Sequence, residues 1–294
     1  MTQIGLVGVG LLGSAVAHRL LEGGFGVSGY DLRPEALAPL VPRGLRVATS
    51  AADAAAGADV VFTILPSLES VDTVIRGAGG LLERVDREAT LVQMSTISPS
   101  LTRTLGAAAA ARGVAFLDAP MSGTSAMVAC GDCTIFIGGD RARMDACRPV
   151  FDAIAKQTIH VGAIGAAALA KLATNLLVGL NTAAVAEALV LGAKGGLDPA
   201  RLLPILRESA AASRMLDVRG PLMVEHRFDP QMKLDLFLKD FALMLDEGKR
   251  LGVPLPLTAL VRELSVATAA AGHGGQDLAA IVTTLETMAG LGGR

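Results

Sequence analysis

The sequence predicts a doubly wound parallel α/β sheet followed by an all-α C-terminal domain, and three observations predict it. Short apolar runs alternate with helical segments over roughly the first 160 residues, the pattern of a parallel sheet covered on both faces. A glycine-rich turn separates the first run from the first helix. After Gly165 no strand pattern returns, while helix signals continue to the end of the chain.

Residues 4–7 form an apolar run suited to a central parallel strand, and Gly8, Gly10 and Gly13 then follow with the G-x-G-x-x-G spacing. Gly8 permits the tight turn, Gly10 lets the backbone approach a pyrophosphate that a side chain would block, and Gly13 lets the next helix pack close to the strand. Leu11 and Leu12 open that helix, whose free N–H groups and dipole favour an anion. The next run, 27–30, ends at Asp31, where a carboxylate can accept hydrogen bonds from a ribose diol. Strand, turn, helix start and acid together describe a Rossmann dinucleotide site. An unrelated glycine turn and the similar nucleoside site of a methyltransferase are the alternatives, and binding of S-adenosylmethionine against NAD separates the second. Asp31 repels the 2′-phosphate of NADP, whereas Arg33 offsets part of that repulsion, so NAD is the expected cofactor and NADP the less favoured one.

Further runs at 59–65, 90–94, 114–117, 134–137 and 158–161 read as strands, with helical segments at 50–57 and 100–112 between them. Ligands in open α/β sheets bind at the C-terminal ends of strands, so Leu65-Pro66 and Ser95-Thr96 are expected to line the cofactor crevice. Ordinary strand-to-loop chemistry is the bland alternative. Asp118-Ala-Pro-Met-Ser122-Gly123-Thr124 ends another strand and offers two hydroxyls and a close-approach glycine, a plausible carboxylate cradle.

The domain boundary falls at 162–165, giving a dinucleotide-binding domain at 1–162 and a helical substrate and oligomerisation domain at 163–294. A long helix opens the second domain, and Asp198-Pro199, Gly252 and Gly272 supply later starts and stops. Lys171 and Asn175 lie four apart on that long helix, so both face the same way. A lysine amid alanines and leucines is costly unless its ammonium has partners, although one snorkelling to solvent reads the same in sequence. Lys239-Asp240 is a further charged pair set among apolar residues.

Composition narrows the class. The chain has 294 residues, 51% hydrophobic and 18% charged, long enough for two domains with their own cores. A net charge of −2 offers no attraction for nucleic acid or an anionic membrane. The apolar stretch at 169–193 is interrupted by Lys171, Asn175, Asn181 and Glu187 and reads as a buried helix, not a membrane span. That helix is apolar on nearly every side, so a second subunit is expected to cover it, in a homodimer or homotetramer. The first residues lack the basic flank of a signal peptide, and three cysteines suggest reduced thiols, so a cytoplasmic protein is expected. Cys130 and Cys133 form a C-x-x-C, but no second pair or nearby histidine completes a metal set, and no metal is expected.

Over nearly its whole length the chain resembles the β-hydroxyacid dehydrogenases, a family that includes 3-hydroxyisobutyrate dehydrogenase, tartronate semialdehyde reductase and L-threonate dehydrogenase. The resemblance rests on Gly8-Val-Gly-Leu-Leu-Gly13, Asp118-Ala-Pro-Met-Ser-Gly123, Gly162-x-x-Gly165 leading to Lys171 and Asn175, Lys239-Asp240, and Gly272-His-Gly-Gly-Gln-Asp277. It implies that Lys171 is the catalytic acid/base, that Asn175 and Ser122 hold substrate, and that Lys239 approaches the nicotinamide. The expected reaction is NAD-dependent hydride transfer from a small 3-hydroxy acid, and an unshifted lysine costs roughly 3 kcal/mol to deprotonate at pH 8, which favours oxidation in alkali. Thr124 and Met127 stand where many members carry glycine, so the acid end of the pocket is expected to differ. Related imine reductases usually lack lysine at position 171. A reductase of an unusual carbonyl or imine, and a non-catalytic dinucleotide-binding scaffold, are the rival readings.

Overall fold

The computed structural model describes residues 1–291 and divides into two compact units, Met1–Lys171 and Leu172–Arg294. In the first, nine strands share one sheet: β1 (Gln3–Val7), β2 (Gly26–Tyr30), β3 (Arg46–Val47), β4 (Val60–Thr63), β5 (Thr90–Gln93), β6 (Ala115–Asp118), β7 (Met121–Ser122), β8 (Thr134–Gly139) and β9 (Gln157–Gly162). Their order is β3-β2-β1-β4-β5-β6-β8-β7, with β9 also paired to β8. The first six strands are parallel, and the order reverses between β1 and β4. Ligands of such sheets bind at that reversal, beyond the strands' C-terminal ends.

Each central strand is apolar on both sides because both faces are covered. Leu6, Phe62, Val92 and Leu117 enter one core, while Val7, Val61, Leu91 and Phe116 enter the other. The far edge departs from the expected all-parallel sheet, since β8 runs antiparallel to β6 and β7. A buried strand has the same composition in either direction, so this reversal has no signature in the apolar pattern. Helices α1 (Leu11–Glu22), α2 (Ala51–Ala55), α3 (Leu68–Arg76), α4 (Leu81–Arg84), α5 (Pro99–Ala111), α6 (Ser125–Ala129), α7 (Arg141–Ala146) and α8 (Arg148–Ile154) connect the strands.

A 29-residue helix, α9 (Ala166–Lys194), follows β9 and continues into the second unit. That unit adds α10 (Pro199–Glu208), α11 (Arg214–Val224), α12 (Leu234–Leu251), α13 (Pro256–Thr268) and α14 (Ile281–Met288), with no strand among its described residues. Gly179 of α9 lets α12 come close, because a Cβ there would stand 2.7 Å from the Phe241 ring. Phe241 meets Phe237 edge to face, with centroids 5.0 Å apart. Among the described residues α9 is the one helix long and apolar enough to cross a membrane by length and composition. Ala183, Ala186 and Leu189 nevertheless bury part of it in protein, while Leu177 and Leu191 remain 58% and 76% exposed.

Candidate active site

The glycine loop follows β1 at the sheet's reversal point. Gly8 has φ +95°, and a Cβ on it would collide with the Ile64 carbonyl. Gly13 is equally constrained, because a Cβ there would strike the Gly8 carbonyl. Gly10 differs. It stands immediately before α1, and a Cβ there would meet only the Arg33 guanidinium, at 3.8 Å. Space is therefore kept open against the backbone at a helix N-terminus, which fits a pyrophosphate. Leu11 is exposed and Leu12 half-buried on the first turn of α1.

Asp31 follows β2 and ties the loop down. Its Oδ2 accepts from the Val9 N–H at 2.7 Å, and Oδ1 accepts from the Arg33 N–H at 2.9 Å and the Arg33 Nε at 3.4 Å. The carboxylate thus shapes the loop, a task beyond the ribose contact expected from the sequence. Leu65 and Ser95 are joined directly, the Leu65 N–H donating to Ser95 Oγ at 2.8 Å. Ser95 is in turn held by Gln93, whose Nε2 donates to the Ser95 carbonyl at 2.9 Å and whose Oε1 accepts from the Ser95 N–H. Pro66 is exposed and Thr96 half-buried at the same strand ends.

Ser122 ends β7, paired with Thr134 of β8, and is half-buried. Gly123 follows at φ +153°, and a Cβ on it would come within 2.9 Å of the Cys133 Cβ and 3.5 Å of the Met127 Cβ. Thr124 is buried and caps α6, its Oγ1 accepting from the Met127 N–H at 3.3 Å. One lone pair of its oxygen serves the helix start, which leaves the hydroxyl proton and the other lone pair. The neighbouring C-x-x-C divides: Cys130 is exposed, whereas Cys133 is buried and its thiol is pushed up to about 11, chiefly by burial. A thiol in that state is a core residue with little thiolate.

At the end of β6, Asp118 turns its carboxylate to the start of α9. Oδ2 accepts from the Gly165 N–H at 3.1 Å and from the Ala168 N–H at 2.9 Å. Burial pushes this carboxyl up to about 6, with the amides of Ala168, Gly165 and Ala167 opposing the shift. One turn further along α9 is Lys171, 7% exposed. Sequence reasoning quoted Asp118 within its motif but gave it no task.

In the second unit, Asn175 of α9 and Lys239 and Asp240 of α12 come together. Asn175 Nδ2 donates to Asp240 Oδ2 at 2.7 Å, and Lys239 Nζ forms an ion pair with Asp240 Oδ1 at 2.9 Å. Asp240 is buried, and it fixes which way the Asn175 amide faces, because only the amide nitrogen can donate to a carboxylate. The charged pair was legible; its use as a brace for Asn175 was not, since it depends on how two distant helices pack. Among the described residues no group of three or more His, Cys, Asp or Glu side chains could hold a metal.

Comparison with known proteins agrees with this geometry. Residues 3–162 match the family model described as the NAD binding domain of 6-phosphogluconate dehydrogenase, and residues 165–285 match that described as NAD-binding of NADP-dependent 3-hydroxyisobutyrate dehydrogenase. The chain is 35% identical to 2-(hydroxymethyl)glutarate dehydrogenase of Eubacterium barkeri, over 98% of this chain and 96% of that protein. It is 34% identical to L-threonate dehydrogenase of Cupriavidus necator over 95% of both. The crystal structure of 3-hydroxyisobutyrate dehydrogenase from Salmonella typhimurium superposes with a TM-score of 0.88 at 30% identity, covering 96% of this chain and 99% of that one. Matches that together cover both units show that the chain belongs to the β-hydroxyacid dehydrogenases, NAD(P)-dependent oxidoreductases.

Proposed function

We propose that the protein oxidises a small 3-hydroxy acid, or reduces the corresponding carbonyl compound, with NAD as partner and Lys171 as the acid/base. Lys171 carries this reading: a lysine buried within the second turn of a helix docked on the ligand-binding end of the sheet. Burying an ammonium is costly, and a proton-transfer role explains why it is kept there. In oxidation Lys171 takes the hydroxyl proton as hydride leaves the carbinol carbon, and in reduction its ammonium returns that proton. Bound NAD supplies the hydride acceptor.

Asn175, oriented by Asp240, fixes the reacting oxygen. Ser122 and the backbone N–H groups around Gly123 and Thr124 hold the substrate carboxylate, and Thr124 and Met127 narrow that end. Gly8, Gly10, Leu11, Leu12, Gly13, Leu65, Pro66, Ser95 and Thr96 hold the cofactor, with Asp31 on the ribose diol and Lys239 toward the nicotinamide. In this reading residues 1–162 form the cofactor-binding domain, and residues 163–294 form the substrate and oligomerisation domain of a cytoplasmic homodimer or homotetramer. Family membership supports hydroxy-acid chemistry over the imine and scaffold alternatives.

The test is a panel of 3-hydroxy acids with NAD and NADP, followed by absorbance of the reduced nicotinamide. Turnover is expected with NAD ahead of NADP, and Asp31→Ala should narrow the gap. Lys171→Ala should lower kcat by about 10² to 10⁴ while NAD affinity stays within a few-fold. Near-normal turnover by that variant moves the chemistry to another residue.

A further inference from the structure

A helix cap is ordinarily supplied by the residue just before the first turn. At α9 that residue is Gly165, at φ +93° and without a side chain. The cap comes instead from Asp118, 47 residues earlier in sequence, whose single oxygen Oδ2 gathers the Gly165 and Ala168 N–H groups. A second device holds the same joint. A Cβ on Gly138, the β8 partner of Asp118, would stand 2.8 Å from the Ala163 carbonyl and 3.3 Å from the Ala167 nitrogen. Ile164 fills the space left by Gly106 and Gly139. The start of α9 is therefore fixed against the ends of β6 and β8, and not merely terminated.

Resting on the reading that Lys171 transfers the proton, we propose that Asp118 is the positioning residue for that step: by gripping the first-turn amides of α9 it sets where Lys171, on the following turn, presents its ammonium. The grip has two physical parts. The fixed carboxylate sets the height of the helix on the sheet, and its ionised form grips the two N–H groups more strongly than a neutral acceptor would. The other charged or titratable groups packed at this joint are Arg103 of α5, against Gly165, and His160 of β9, whose Nε2 lies 2.9 Å from the Gly139 carbonyl. Neither takes over the amides that Asp118 holds. Burial opposes the charge that makes this cap, and Asp118 Oδ1 has no hydrogen-bond partner among the described residues. A cap that served the helix alone would be better made by a local serine or aspartate at the surface.

The test compares Asp118→Asn and Asp118→Glu with wild type and Lys171→Ala, using the 3-hydroxy acid of highest turnover in the panel above. Asp118→Asn keeps the shape and loses the charge. Its kcat should fall about tenfold, while NAD affinity and the KM for the acid stay within twofold. Asp118→Glu keeps the charge and displaces the grip by one methylene. Its kcat should also fall about tenfold, with the pH profile left in place. Wild-type kcat in both variants overturns the proposal, and so does failure of both to fold, which makes Asp118 a stability residue only. Lys171→Ala separates the two ideas. If it keeps turnover, the acid/base assignment falls and this inference with it; if it loses turnover while both Asp118 variants behave as wild type, the positioning role alone falls.

Discussion

Burial pushes the Asp118 carboxyl up to about 6 from an ordinary 3.8, so the folded chain holds this proton more tightly than the unfolded chain. The sign follows directly. The stability linked to this group is complete below about pH 4 and is lost as pH rises through about 6, so the fold is about 3 kcal/mol less stable at pH 8 than at low pH on account of this group. Asp118→Asn, neutral at every pH, should therefore melt no lower than wild type at pH 8, and its advantage should shrink by pH 5. A loss of many degrees at pH 8 would show that the charge stabilises the fold. Lys171 and Asn175 were legible because both belong to one helix, where four-residue spacing alone aligns them. Asp118 was legible only as part of a motif. Its partners, Gly165 and Ala168, lie far along the chain, and no local pattern encodes a cap that arrives from another strand.

Elements show the same division. Seven strands were marked by apolar runs, whereas β3 and β7, two residues each, are too short to carry a pattern. Thr124 illustrates a side chain whose local use competes with its proposed one, since its oxygen caps α6. The closing motif resolves into a buried brace. Asp277 Oδ1 accepts from Arg219 Nε and the Ala279 N–H, both at 3.1 Å, and Oδ2 accepts from the Gln231 N–H at 3.1 Å and the Met232 N–H at 2.9 Å. Arg219 is itself buried in α11, which lowers its hold on the proton despite the ion pair. Removing one partner of such a pair leaves an uncompensated charge in the core. Asp277→Ala should cost about 3–5 kcal/mol in denaturant unfolding, and adding Arg219→Met should recover only the part due to the orphaned guanidinium, because the N–H groups of Gln231, Met232 and Ala279 stay without their acceptor. A loss below about 1 kcal/mol for the single variant would show that water reaches Arg219.

For the whole molecule, composition and alternation were enough to separate a sheet-containing half from a helical half. They could not show how far the first unit reaches along α9, because the contacts at the start of that helix, such as Asp118 with Gly165 and Ala168, join residues far apart in sequence. The same helix bears on assembly. Leu177 and Leu191 are exposed and lie fourteen residues apart, near one stripe of α9. Sedimentation should find a dimer or tetramer, and Leu177→Glu with Leu191→Glu should weaken it; an unchanged assembly would place the subunit contact elsewhere. One last consequence concerns chemical labelling. Of the three cysteines, Cys133 and Cys147 are buried with their thiols pushed up by burial, and Cys130 alone is exposed. A maleimide dye should therefore attach once per native chain and three times after denaturation. Cys130 closes the short helix that Thr124 opens, eight residues after Ser122, so the attached fluorophore should change its emission if an acid binds at that loop as proposed.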